Sequence, residues 1–205
     1  MWAVLGRGAA PFVVKGNTPR SERDPSLGHA YCTANYTSST EVHLQLRAGD
    51  DFWAIARQVA SDLGSPEGVQ KGRWAVGMLS FLPDPPTEPE NADTERPTGW
   101  EERFYGKMRS QDPFGGSLEV SNLGYTDLPA GAEDIVWSSS SWPCAPVLNA
   151  NVIGHKGGLR IATVWREGAA VTGKEAKGVE EAVTRVLERL SGEGREELTL
   201  SEVTA

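Results

Sequence analysis

The sequence predicts an α/β fold, a mixed β-sheet with helices packed mainly on one side of it. Three observations carry that expectation. Residues 41–47 alternate strictly, with Val42, Leu44 and Leu46 on one side and Glu41, His43, Gln45 and Arg47 on the other. That is the period-2 pattern of a half-buried strand. Residues 147–153 and 159–165 are strand-like and are separated by Gly157-Gly158, a hairpin signal that makes them antiparallel neighbours. Thr172 and Glu175 have capping-box spacing ahead of Val179, Val183, Val186, Leu187 and Leu190, one apolar helical stripe that Gly192 ends.

The remaining elements follow in order. Residues 1–16 read as a loose N-terminal segment in which 2–5 and 12–14 are short strand pieces broken by Gly6, Gly8 and Pro11. Residues 17–28, rich in turn formers and charge, read as an irregular loop. Asp50 and Asp51 announce a helix, because a carboxylate there accepts from free N–H groups and favours the positive end of the dipole. Phe52, Ile55, Ala56, Val59 and Leu63 follow at helical spacing. Residues 74–82 are a strand or short helix, and 82–98, with five prolines and five acids, a mobile surface insertion. A short helix at 100–109 and strands at 118–123 and 135–137 complete the count. The domain is expected over 17–190, with a frayed tail at 191–205.

Composition narrows the function classes. The 205 residues hold 20 Lys and Arg against 28 Asp and Glu, a net charge of −8. A basic face for tracking phosphates is therefore not expected, so neither nucleic acid nor an anionic membrane surface is a partner. The apolar stretch at 2–5 is too short for a membrane span or a signal-peptide core, which reads as a cytoplasmic protein. Cys32 and Cys144 make no metal spacing and read as free thiols.

Most chemistry-bearing residues have a plain structural reading. His43 lies on the polar side of its strand, His155 precedes the Gly-Gly turn, and His29 is three positions from Cys32. A Cys-His nucleophilic pair is conceivable there, but adjacent positions seldom give its geometry. The serines at 138–141 lack a Gly-x-Ser-x-Gly elbow, and residues 154–158 lack the spacing of a phosphate loop. Asp50-Asp51, Glu101-Glu102 and Glu180-Glu181 read as solvated charge, and no metal set is present. The segment singled out is Ser121-Asn122-Leu123-Gly124, where polar side chains at a strand end project into a cleft and glycine admits a ligand.

The order of several segments resembles a known family. Asn17…Pro19-Arg20…Leu27-Gly28, Phe52-Trp53…Ala56, Val120-Ser121-Asn122-Leu123-Gly124, Gly158-Leu159-Arg160-Ile161 and the terminal helix resemble the C-terminal lobe of the chloramphenicol-acetyltransferase-like acyltransferases. The look is closest to fungal alcohol acetyltransferases and trichothecene-type O-acetyltransferases of secondary metabolism. The resemblance implies one lobe of a two-lobe fold enclosing a tunnel, which acyl-CoA and a hydroxylated small molecule enter from opposite sides. It implies acetyl transfer to an alcohol, acyl-CoA as co-substrate with no bound cofactor, and Ser121, Asn122 and Gly124 as tunnel-lining residues. The family's base is a histidine in a His-x-x-x-Asp motif on the other lobe. Here His29, His43 and His155 are followed four positions on by Thr33, Arg47 and Leu159, so that motif is absent. No catalytic residue is assigned, and the chain reads as a lobe that is truncated, complemented by an N-terminal lobe on another chain as partner, or degenerate. A non-catalytic binding module is the alternative, and a hydrolase using Cys32 or a serine a third.

Overall fold

The computed structural model describes residues 11–23, 26, 36–83, 97–192 and 199–204. Five strands make one sheet: β1 (Phe12–Ser21), β2 (Thr37–Leu46), β3 (Leu118–Tyr125), β4 (Leu148–His155) and β5 (Gly158–Trp165). The helices are α1 (Phe52–Gly64), α2 (Pro66–Gly77), α3 (Gly99–Met108), α4 (Gly173–Ser191) and α5 (Leu200–Thr204), with a 3-10 turn at Met78–Phe81. The strand order is β2-β1-β3-β4-β5. Both outer pairs are antiparallel, while β1–β3 and β3–β4 are parallel. The chain is thus an α/β fold on a mixed sheet, as the sequence predicts.

β1 departs from the expectation of a loose segment up to 16 followed by a loop. It runs across that boundary to Ser21 and pairs with β2 along its whole length, from Phe12 opposite Leu46 to Ser21 opposite Thr37. Pro19 is tolerated because β1 meets β3 only at Gly16 and Asn17. Past Asn17 no strand among the described residues pairs with that second edge, so the missing N–H costs no ladder bond. Leu27, Gly28, His29 and Cys32 lie outside the described residues.

α1 begins where Asp51 accepts from the Ala54 N–H. Ser65 ends it and starts α2 by accepting from the Gly68 N–H at 3.0 Å, with Pro66 at the first helical position. Residues 74–82 are therefore the end of α2, the 3-10 turn and Leu82, on the helical side of the expectation. Gly72 lets α2 lie close on β2: a Cβ there would stand 2.4 Å from the Ser39 carbonyl oxygen. Under this contact Ser38, Thr40 and Val42 are buried. Of the insertion, residues 84–96 lie outside the described residues. Its ends return to one point, since a Cβ on Gly99 would lie 2.8 Å from the Pro83 carbonyl oxygen. Thr98 and Glu101 then close a capping box that starts α3.

β4 is the most buried strand. Leu148 packs with Val171 and Ala176, and Leu118, Val147, Trp165 and Val179 close around them. The predicted Thr172–Glu175 capping box is present at the start of α4. Register places Val42, Gly16, Leu118, Leu148 and Trp165 in one row across the sheet. Because side chains alternate faces, α1 and α2 over β2 and α4 over the β4–β5 end share one side. The expected strand at 135–137 is not a strand: the segment crosses the helix-free face, and the Trp137 indole donates to the Val152 carbonyl at 2.9 Å. Of the tail, 193–198 and 205 lie outside the described residues, and 199–204 are docked and not frayed. Leu200 and Ser201 donate backbone N–H groups to the carbonyls of Asp50 and Ala48, at 2.9 and 3.0 Å, which docks α5 beside the start of α1.

Substituting Gly72→Ala should push α2 off β2. We expect a loss of about 1–3 kcal/mol, read as a lower urea midpoint, while Gly77→Ala, with open space around its Cβ, should leave the midpoint close to the parent's.

Candidate functional site

The segment singled out from the sequence closes β3. Asn122 Oδ1 accepts from the Gly124 N–H at 2.8 Å, and Gly124 takes a φ of +77° that a side chain would strain. The ladder to β4 slips between Asn122 and Tyr125, so the strand end kinks outward and exposes Leu123 and Tyr125. Alternation separates the three residues rather than gathering them. Ser121 pairs in register with Asn151 and points to the helix-free face, whereas Asn122 pairs with Val152 on the helix side.

The helix-free face carries a polar constellation that runs across strands. One register row holds Asn17 on β1, Glu119 on β3 and Asn149 on β4, and the next holds Ser121 and Asn151. Asn17 Nδ2 donates to Glu119 Oε2 at 3.0 Å. Asn151, 1% exposed, is satisfied on both sides: its Oδ1 accepts from Ser139 Oγ at 3.1 Å and its Nδ2 donates to the Ala162 carbonyl at 3.3 Å. Asn149 is 3% exposed, yet its Oδ1 has no partner among the described residues, and neither has the buried Oδ1 of Asn17. A buried acceptor left unpaired costs about 1–3 kcal/mol.

Further along β4, the His155 side chain is fully buried, with one ring nitrogen hydrogen-bonded and the other set against a carboxylate. Nδ1 accepts from the Gly157 N–H at 3.0 Å, and Nε2 stands 2.8 Å from Asp134 Oδ1 in an approach too oblique for an aligned hydrogen bond. Asp134 Oδ2 is 3.0 Å from Arg160 Nε. This trio ties the crossing segment to the β4–β5 hairpin, and it closes the His155 side chain off from solvent. His43, exposed, lies 3.6 Å from Glu41. The hairpin role expected for His155 holds, and Gly157 is small for its sake: a Cβ there would meet the imidazole Cε1 at 2.7 Å. Cys144 is a buried free thiol, as expected, against the Phe104 carbonyl.

Between the sheet and α4 runs an apolar groove of about 750 Å³, walled by Val120, Ala150, Val152 and Ile161 below and by Val183 and Leu187 above. Its floor is the Leu148 core, and Val183 and Leu187 on its upper wall are about two-fifths exposed. That volume is in the range of small-molecule pockets.

Sequence reasoning missed Glu119, Asn17 and Asn149. The alternating Asn149 and Asn151 were the visible signal; Asn17 sat in a stretch read as loop, so the row could not be assembled. No protein-family model matches the chain, and no curated protein matches it. Among the described residues no group of three His, Cys, Asp or Glu is disposed to hold a metal, and no helix is long and apolar enough to cross a membrane.

Two carboxylates are perturbed in opposite senses. Burial pushes Glu119 above the ordinary value, against the bond from Asn17. The bond from Arg160, then that from the Ile135 N–H, holds Asp134 below it, with the charges of Arg160 and His155 adding to the effect. Asp134 therefore stabilises the fold above the usual carboxylate range and loses that contribution as pH falls through its depressed value. Glu119 contributes below the usual value and loses its contribution as pH rises through the raised one. In urea midpoints followed from about pH 2 to pH 7, Asp134→Asn should flatten the acid limb, and Glu119→Gln should remove a decline on the rising side.

Proposed function

We propose that the chain is a C-terminal-lobe-like part of a CoA-dependent O-acyltransferase that carries an acetyl group from acyl-CoA to the hydroxyl of a small molecule in cytoplasmic secondary metabolism. One observation carries the reading. Among the described residues, the helices packed on the sheet lie on one side, while the opposite side presents Ser121, Glu119 and Asn17, and Leu123, Tyr125 and Val136 are exposed. A second lobe closing over that side would find hydrogen-bonding groups for an alcohol and apolar surface for its own docking. In this reading Ser121 lines the tunnel, and the Asn122–Gly124 turn shapes its edge.

The reaction needs a base within hydrogen-bond reach of the attacking hydroxyl. The histidines described here do not offer one: His43 faces solvent beside Glu41, and His155 is closed in by Gly157 and Asp134. The lobe's work is then to hold the acceptor and seal the tunnel, and the imidazole comes from the partner lobe. The purified chain should release no CoA from acetyl-CoA in the presence of primary and secondary alcohols, as followed with a thiol reagent. Adding a lobe that bears His-x-x-x-Asp should restore turnover, and Ser121→Leu should then weaken acceptor KM. Turnover by the chain alone would overturn the assignment of the base.

The apolar groove under α4 favours a second reading, a non-catalytic module that holds a small apolar molecule against Val152 and Val183. Saturable, CoA-independent binding of such a molecule, with no activity alongside any partner lobe, would decide for it.

A further inference from the structure

We propose that the groove between the sheet and α4 binds a cationic amphiphile, an alkyl chain that ends in an ammonium group. Its volume of about 750 Å³ is that of a small-molecule site. It runs along β4 from Leu148 to Val152, about 13 Å at strand rise, which an extended octyl chain fits. Val120, Val152 and Ile161 on the sheet and Val183 and Leu187 on α4 give it apolar walls. Leu159 at its edge is half exposed, and Ile161, Val183 and Leu187 are about two-fifths exposed, so a chain laid there removes apolar surface from water.

The rim decides which head group that chain carries. Glu180 and Glu188 line the groove from α4, about two turns apart. Neither carboxylate has an ion-pair or hydrogen-bond partner among the described residues. Lys177 and Arg185 share a separate depression with Glu180 and do not line the groove. Arg160 is the one cation among the lining residues, and it is engaged: its Nε is 3.0 Å from Asp134 Oδ2 and its Nη1 donates to the Leu159 carbonyl at 3.2 Å. Thr184 gives its hydroxyl to the Glu180 carbonyl at 3.0 Å. An anionic head would find only the Thr163 hydroxyl uncommitted among the lining side-chain donors, with two carboxylates for neighbours. An ammonium instead meets one carboxylate as a charge-assisted pair, and the other adds to the field. Both carboxylates are exposed, so salt screens them. Burial of the chain then supplies most of the affinity, and the head supplies the selection. The proposal rests on the groove being a ligand site, as in the second reading of function, and not on the acyltransferase reading.

The test is methyl-detected NMR on the full chain at about 20 mM ionic strength, titrated with octylammonium chloride, sodium octanoate and 1-octanol, each kept monomeric. We expect saturable shifts of the Val152 and Val183 methyls with octylammonium, at a Kd at least about fivefold below that of octanoate, and a gap that narrows at about 0.5 M salt. Glu180→Gln with Glu188→Gln should close the gap and leave octanol binding unchanged. Asp62→Asn with Glu102→Gln makes the same change in net charge at exposed positions off the groove and should preserve the gap. Val183→Trp should abolish binding of all three compounds. If it fails to fold, the Glu180→Gln and Glu188→Gln result decides, since both side chains are exposed. Octanoate binding as tightly as octylammonium, a gap that survives loss of the two glutamates, or one that the off-groove pair closes equally would each overturn the cationic ligand while leaving the groove to an uncharged one. No saturable shift with any of the three would overturn the second reading as well. Groove methyls that shift on dilution, with a matching change in sedimentation, would assign the groove to a second copy of the chain and overturn the proposal.

Discussion

The fold depends on one pairing, the parallel ladder between β3 and β4 that sets Leu118 beside Leu148. Parallel neighbours cannot be joined by a tight turn, and the connecting chain must travel back over a face of the sheet, usually as a helix. Here the connection, residues 126–147, contains no helix or strand. Such a length of irregular chain carries many backbone polar groups and little burial of its own. It stays in place through side-chain ties to β4: the Trp137 indole on the Val152 carbonyl, Ser139 on Asn151, and Asp134 against His155 and Arg160. The aromatic edge of Trp142 against Phe104 anchors its far end to α3.

That arrangement explains why β4 is two strands in one. Leu148, Ala150 and Val152 face α4 and build the core and the groove, while Asn149, Asn151 and His155 face the crossing chain. A regular crossover helix would have covered the second face with apolar side chains, and the strand would then read as continuous hydrophobics. Polar residues are admissible here only because the crossing chain offers hydrogen-bond partners at the same depth. Gly157 belongs to the same device, since the turn must stay small to admit the buried imidazole.

What was legible in the sequence was what depends on local spacing. The α4 capping box, the β2 alternation and the β4–β5 hairpin each need only neighbours within a few residues, and each is present. What was not legible depends on partners far along the chain. Residues 17–28 read as a loop on their turn formers and charge, and only the brevity of the β1–β3 ladder makes Pro19 harmless within β1. Residues 135–137 have strand composition, but they cross the sheet instead of joining it. Ser65-Pro66 was a helix start in plain view, and recognising it would have settled residues 74–82 as helical. The site residues divide in the same way: the Asn122–Gly124 turn is local, whereas Asn17, Glu119 and Asn149 meet only through register between strands about a hundred residues apart.

The position of the unpaired amides follows from where the crossing chain runs. Its ties fall on Asn151, Val152 and His155, toward the C-terminal half of β4, and they end before the row at Asn149. Nothing in the crossing chain donates to Asn149 Oδ1, although Ser139 serves the equivalent oxygen of Asn151 two residues on. The two asparagines share a strand, a face and a depth, so strand geometry alone cannot account for the difference. What differs is the supply of donors. An apolar residue at 149 would avoid the desolvation cost altogether, and Val164, its register partner on β5, shows that apolar side chains fit this row. The amide is nevertheless held there, with its Oδ1 left without a donor among the described residues.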